Sequence, residues 1–65
     1  MKVVLFADYL YIYCNSNDKQ ELIRYGDSSK LDYLGIDQGQ HLFIVRNPSY
    51  VFLHWLSCMF EYSVE

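Results

Sequence analysis

The chain is poor in the residues that build most specialised architectures. It has one proline, three glycines and two cysteines in 65 residues. The glycines are scattered, at 26, 35 and 39, and neither G-x-x-x-x-G-K-[ST] nor G-x-G-x-x-G occurs, so no phosphate-cradling loop is present. A disulfide-built secreted domain of this size carries four or more cysteines. Cys14 and Cys58 are therefore expected as free, largely buried thiols in a reducing cytoplasm, a single bridge between them being the alternative. Together with His41 and His54 they form a nominal Cys₂His₂ set, but no C-x₂-C pair exists and only His54 and Cys58 have a ligand-like i, i+4 spacing. Neither a metal nor any other cofactor is expected.

Basic residues are also scarce. Eight Asp/Glu face five Lys/Arg, giving a net charge of −3, and residues 3–18 and 47–65 contain no Lys or Arg. This excludes an unassisted grip on phosphate backbones, and with it base-stacking on an aromatic sheet, which needs basic residues interleaved with the rings. Long hydrophobic runs are missing too. The stretch from Tyr50 to Tyr62 is interrupted by His54, Ser57 and Glu61 and is too short for about 30 Å of hydrocarbon. The first seven residues imitate a signal peptide, but Asp8 breaks the run and no small-residue cleavage site precedes Asn15. The expectation is a soluble cytoplasmic protein that contacts neither membrane nor nucleic acid.

What is abundant is apolar and aromatic surface. Hydrophobic residues make up 52% of the chain and aromatics 18%, far above a disordered tail. A chain this short buries only about 60% of the surface exposed when unfolded, so it gains from dense aromatic packing or a partner. Residues 1–65 are expected to form one small α+β domain: a three-stranded antiparallel sheet, a short middle helix, and a C-terminal helix packed on one face.

The elements are read as follows. Val3 to Cys14, rich in β-branched and aromatic residues, reads as a strand with its even positions inward. Asp8 would then point into the core, and a bulge or strand break near Ala7-Asp8 relieves it. Asn15-Ser16-Asn17-Asp18 is a turn closing a hairpin. Lys19 to Tyr25 follows as a strand; the alternative is a helix capped by Asn17, with Gln20 completing a capping box and Gly26 as stop. Ser29 and Asp32 have capping-box spacing, so Ser28 to Leu34 reads as a helix of about two turns. Asp37 to Gln40 is a loop. His41 to Arg46 holds Leu42-Phe43-Ile44-Val45, a run typical of a strand covered on both faces. Asn47-Pro48 opens a helix running to about Ser63.

Two features point to a partner. On the last helix His54, Ser57 and Glu61 fall within an arc of roughly 60°, leaving an apolar arc of roughly 220° that includes Trp55 and Phe60. A helix on one sheet needs far less, so an interface along it is inferred, against cover by the rest of the monomer. Tyr9, Tyr11 and Tyr13 recur at i, i+2, i+4, which lines their rings along one side of a strand. Tyrosine couples a large apolar body to a hydrogen-bonding tip, which suits a binding surface; a ladder that only shields the sheet is the alternative. Asp32 and Asp37 belong to a scatter of acids that offers charge to a basic partner surface, or serves only as solvated loops and caps. Cys58, His54 and Glu61 share a helical face, but a pair on an open helix lacks the pocket that catalysis requires.

The expected function is therefore non-enzymatic: a protein-binding module acting as a small inhibitor or adaptor. By analogy of size and charge, it suits a phage or mobile-element protein that blocks a host complex or defence system. The alternative is a self-assembling, homodimeric accessory protein. The expected partner surface comprises Tyr9, Tyr11, Tyr13, Trp55, Phe60, Asp32 and Asp37.

Overall fold

The computed structural model describes residues 1–25 and 30–65. The chain is α+β, but its described residues form a five-stranded mixed sheet and two helices instead of a three-stranded antiparallel sheet with a short middle helix. The elements are β1 (Lys2–Phe6), β2 (Tyr9–Cys14), α1 (Ser16–Tyr25), β3 (Leu31–Asp37), β4 (Gln40–Arg46), α2 (Tyr50–Met59) and β5 (Ser63–Val64). The sheet order is β3-β4-β2-β1-β5, antiparallel throughout except for β5 beside β1.

The break near Ala7-Asp8 is a full reversal. These two residues close a hairpin in which Phe6 pairs with Tyr9, and Ala7 takes a positive φ of 54°. Asp8 is exposed in the turn. The reversal also changes which side chains face inward. Leu10, Ile12 and Cys14 are buried as the even-position pattern requires, but Val3 joins them while Val4 and Phe6 take the other face. A two-residue turn places residues 6 and 9 opposite one another, so odd positions of β1 share a face with even positions of β2.

Residues 16–25 form a helix, not a turn and strand. Asn15, not Asn17, is the cap: its Oδ1 accepts from the backbone N–H of Asp18 at 2.8 Å. Asp18 in the first turn and Arg24 in the last complement the helix dipole. Leu22, fully buried, anchors α1 to the sheet. The predicted helix over 28–34 is overturned where it is described, because Leu31–Leu34 lie in β3; the cap residues Asp27, Ser28 and Ser29, and Gly26, lie outside the described residues. Two positions explain why a capping-box spacing misleads here. Gly35 has φ +99° at a register shift between Tyr33 and Gly35, a bulge that no regular pattern reveals, and Gln38-Gly39 closes the β3–β4 hairpin with both residues at positive φ.

The last helix is shorter than predicted. Ser49 caps it by accepting from the N–H of Phe52 at 3.1 Å, and it ends at Met59, where Phe60 turns to extended backbone. The freed residues return along β1, with Ser63 N donating to Met1 O at 3.1 Å and Glu65 N to Val3 O at 2.9 Å. Among the described residues, no helix is long and apolar enough to cross a membrane.

Both helices contribute to one core. Leu22 from α1 and Phe52 and Leu56 from α2 meet Val3, Leu10, Ile12, Cys14, Phe43 and Val45 from the sheet. Connectivity accounts for this arrangement. The crossovers β2–α1–β3 and β4–α2–β5 each join parallel strands, start from oppositely directed neighbours and leave in opposite directions. Two crossovers so related share one hand only if their helices lie on the same face, and a single hand is strongly favoured. Among the described residues, no helix covers the other face.

Leu22→Ala is expected to cost about 2–5 kcal/mol in urea denaturation, and Ile23→Ala, at 51% exposure, to stay within about 0.5 kcal/mol. Equal losses at both positions would contradict the helix orientation.

Candidate protein-binding face

The uncovered face follows from the strand registers. Read across the sheet, one row holds Phe6, Tyr9 and Arg46; the next Val4, Tyr11, Ile44 and Asp32; the next Lys2, Tyr13, Leu42 and Gly35; the last Asp37 and Gln40. Strand alternation makes the three tyrosines the spine of an apolar strip flanked by Val4, Phe6, Leu42 and Ile44. Tyr11, Tyr13, Leu42 and Ile44 are half-buried by one another, whereas Phe6 is 69% and Tyr9 38% exposed. The prediction that β4 is covered on both faces is corrected: helices cover Phe43 and Val45, and only neighbouring side chains flank Leu42 and Ile44.

Charge lies at the ends of the strip. At one end the Lys2 ammonium sits 4.5 Å from the centroid of the Tyr13 ring, 3.3 Å from Gln38 Oε1 and 3.8 Å from Glu65 Oε2. Burial pushes the Tyr13 hydroxyl up from its ordinary pKa of 10, and the negative charge of Asp37, with the hydrogen bond between them, pushes it further. At the other end Arg46 is exposed, and its guanidinium has no ion-pair partner among the described residues.

Five of the seven residues expected to bind a partner meet here: Tyr9, Tyr11, Tyr13, Asp32 and Asp37. Trp55 and Phe60 do not. They pack with the helix layer, ring centroids 5.7 Å apart and nearly perpendicular, and Trp55 stands 5.7 Å from Phe52. This aromatic group belongs to the core and fastens the turn after α2. Val4, Phe6, Leu42, Ile44 and Arg46 complete the face without having been singled out from sequence. The hairpin arithmetic at Ala7-Asp8 was the signal for the first two, and the alternation within 42–45 for the next two.

Two histidine pairs lie elsewhere. His41, opposite Cys14 in the register, is held at both ring nitrogens, by Ser16 Oγ at 3.2 Å from Nε2 and by Tyr33 Oη at 2.7 Å from Nδ1. Lys19 caps the Tyr33 ring at 4.6 Å, so the group ties the start of α1 to β3 and β4. Ser16 and His41 have nucleophile–base spacing, Ser16 exposed and His41 partly so; a depression of about 270 Å³ on α1 is lined by Gln20, Glu21, Ile23 and Arg24. On α2, His54 Nε2 is 3.6 Å from Cys58 Sγ and stacks on Tyr50. No group of three or more metal-ligating side chains comes together among the described residues, and the nominal Cys₂His₂ set is split between these two places.

The cysteines differ. Both are free, Cys14 buried and Cys58 exposed, so the expectation of two buried thiols holds for one only. Burial, and next the charge of Asp18, push the Cys14 thiol up to about 11. A thiol-specific chromogenic reagent should modify Cys58 in the native protein and reach Cys14 only on unfolding. Because the native pKa of Cys14 lies above the unfolded value of 9, its contribution is whole below pH 9 and is lost as pH rises toward 11. Tyr13 adds to the decline above pH 10. Stability should fall by roughly 1–3 kcal/mol across this window, less in Cys14→Ala; an unchanged slope in that variant would contradict the assignment. No protein-family model, curated protein or solved structure matches this chain.

Proposed function

We propose that the chain is a non-enzymatic protein-binding module of the small inhibitor or adaptor kind, which docks a partner protein on its uncovered sheet face. The observation that carries this reading is the tyrosine spine with its apolar flanks, on a face to which the fold supplies no covering layer. Contiguous apolar surface on a small soluble protein marks an interaction site, and tyrosine is among the residues enriched in interface cores. An aromatic centre with charges at its ends has the anatomy of a docking patch: desolvated anchors inside, charged groups at the rim. The acidic balance and the absence of Lys and Arg from residues 3–18 favour a protein partner over nucleic acid. By its size and charge the module suits a phage or mobile-element product working in the cytoplasm, where it would block a host complex.

The test is a pull-down from lysate of the source host, quantified against the purified partner. Wild type, Tyr11→Ala/Ile44→Ala and a helix-side Val51→Ala control would run in parallel, each checked for fold by circular dichroism. The double variant should weaken binding at least tenfold, since anchor truncations cost about 1–2 kcal/mol or more each, while Val51→Ala should not change it. Binding retained by the folded double variant and lost by Val51→Ala would overturn the assignment to the sheet face.

A further inference from the structure

We infer that a second copy of the chain closes the uncovered face, the two sheets packing face to face about a two-fold axis that crosses the strands between the Tyr11 and Tyr13 rows. The inference rests on the reading of this face as a protein-docking surface and names an occupant for it. A two-fold interface must be self-complementary, each patch matching itself under the rotation. The registers can be tested for this directly.

An axis so placed exchanges the row of Tyr11, Ile44 and Asp32 with the row of Tyr13, Leu42 and Gly35. Tyr11 then meets Tyr13 of the copy and Ile44 meets Leu42, which pairs ring with ring and aliphatic with aliphatic. Asp32 falls opposite Gly35, which has no side chain to repel it, instead of opposite another Asp32. The outer rows exchange as well. Arg46, without an ion-pair partner in its own chain among the described residues, arrives at the end of the copy that carries Asp37. On β1 the same exchange sets Lys2 opposite Val4 of the copy. Arg46 thus meets opposite charge at each of the two symmetric ends, while the tyrosine and aliphatic pairs meet in the middle. Aligned packing of two sheets is a standard arrangement, with the inner side chains forming the core.

Size agrees with this. A body measuring 28 × 25 × 22 Å offers roughly 500–700 Å² on a face, close to the ~800 Å² per partner of a standard specific interface. The sheet edges are poorer candidates for self-association. β5 shields part of β1, and β3 carries the bulge at Tyr33/Gly35, a device that blunts edge pairing. Two chains of net charge −3 repel, but over a range that physiological salt screens within about 8 Å.

The test is sedimentation velocity at physiological salt over a concentration series, with folding checked by circular dichroism. Wild type should dimerise reversibly. Arg46→Glu sets a carboxylate against Asp37 at both contacts, and Asp37→Lys sets an ammonium against Arg46 at both; each variant alone should weaken dimerisation at least tenfold. An equimolar mixture of the two should recover dimer, since both contacts then pair opposite charges. Wild type that stays monomeric, or a dimer indifferent to both reversals, overturns the self-pairing. If that monomer binds a partner protein that Tyr11→Ala/Ile44→Ala releases, the docking reading stands without it.

Discussion

A sheet has two faces, and this chain has helix enough for one. Its two ten-residue helices return through crossovers whose directions place them on the same side, where they share a single core. Everything else about the molecule follows from that asymmetry. Among the described residues, the helix side holds nine buried apolar side chains, and the other side holds the tyrosine row, four aliphatic or aromatic flanking residues and an Arg46 without an ion-pair partner. A small domain with a thin margin of stability keeps such a surface at a cost, because those side chains remain partly in water when they would be better covered. Covering them by a second protein surface would recover the loss.

The two sides also differ in how their aromatics are used. Trp55, Phe52 and Phe60 interlock at short centroid distances and tilted angles, the geometry of a packed interior. Tyr9, Tyr11 and Tyr13 stand in file along one strand, braced at one end by Lys2 and Asp37 and open at the other. A file held from one end presents flat rings and hydroxyl tips in fixed positions at little entropic cost, which is what recognition needs. The His41 group serves the opposite purpose: Ser16, Tyr33 and Lys19 converge on it and lock the first helix to the sheet.

Much of this was legible in the residues, and the failures have identifiable causes. Extended backbone over Val3 to Cys14 and His41 to Arg46 followed from β-branched and aromatic runs, though the first is two strands and not one, and the placement of the tyrosines on one side followed from period two. The reversal at Ala7-Asp8 was visible only as an acid out of place, because Ala7 occupies a left-handed position that glycine would ordinarily mark. Asn15 to Asp18 reads equally as a turn and as a helix cap, since the same side-chain-to-backbone bonds serve both; the helix forms where Leu22 reaches the core. Ser29 and Asp32 had a capping-box spacing without a helix to cap, a local pattern overridden by pairing with β4. The apolar breadth of the last helix was real, but a shorter α2 and the extended return from Phe60 to Val64 account for part of it inside the monomer. Exposed apolar side chains remain in both places, Tyr50, Val51 and Met59 on α2 and Phe6 and Tyr9 on the uncovered face of the sheet. Position in sequence alone could not reveal this, because it depends on which side both crossovers take.

Methyl NMR with a soluble paramagnetic agent tests the asymmetry most directly, by reporting which side chains water reaches. In dilute protein the methyl signals of Val4, Leu42 and Ile44 should broaden, while those of Ile12, Val45 and Leu56 stay sharp. Raising the protein concentration should then protect the first group and leave the second unchanged. Protection of Val4 and Ile44 at every concentration would mean that the monomer covers its own sheet, and would contradict the account.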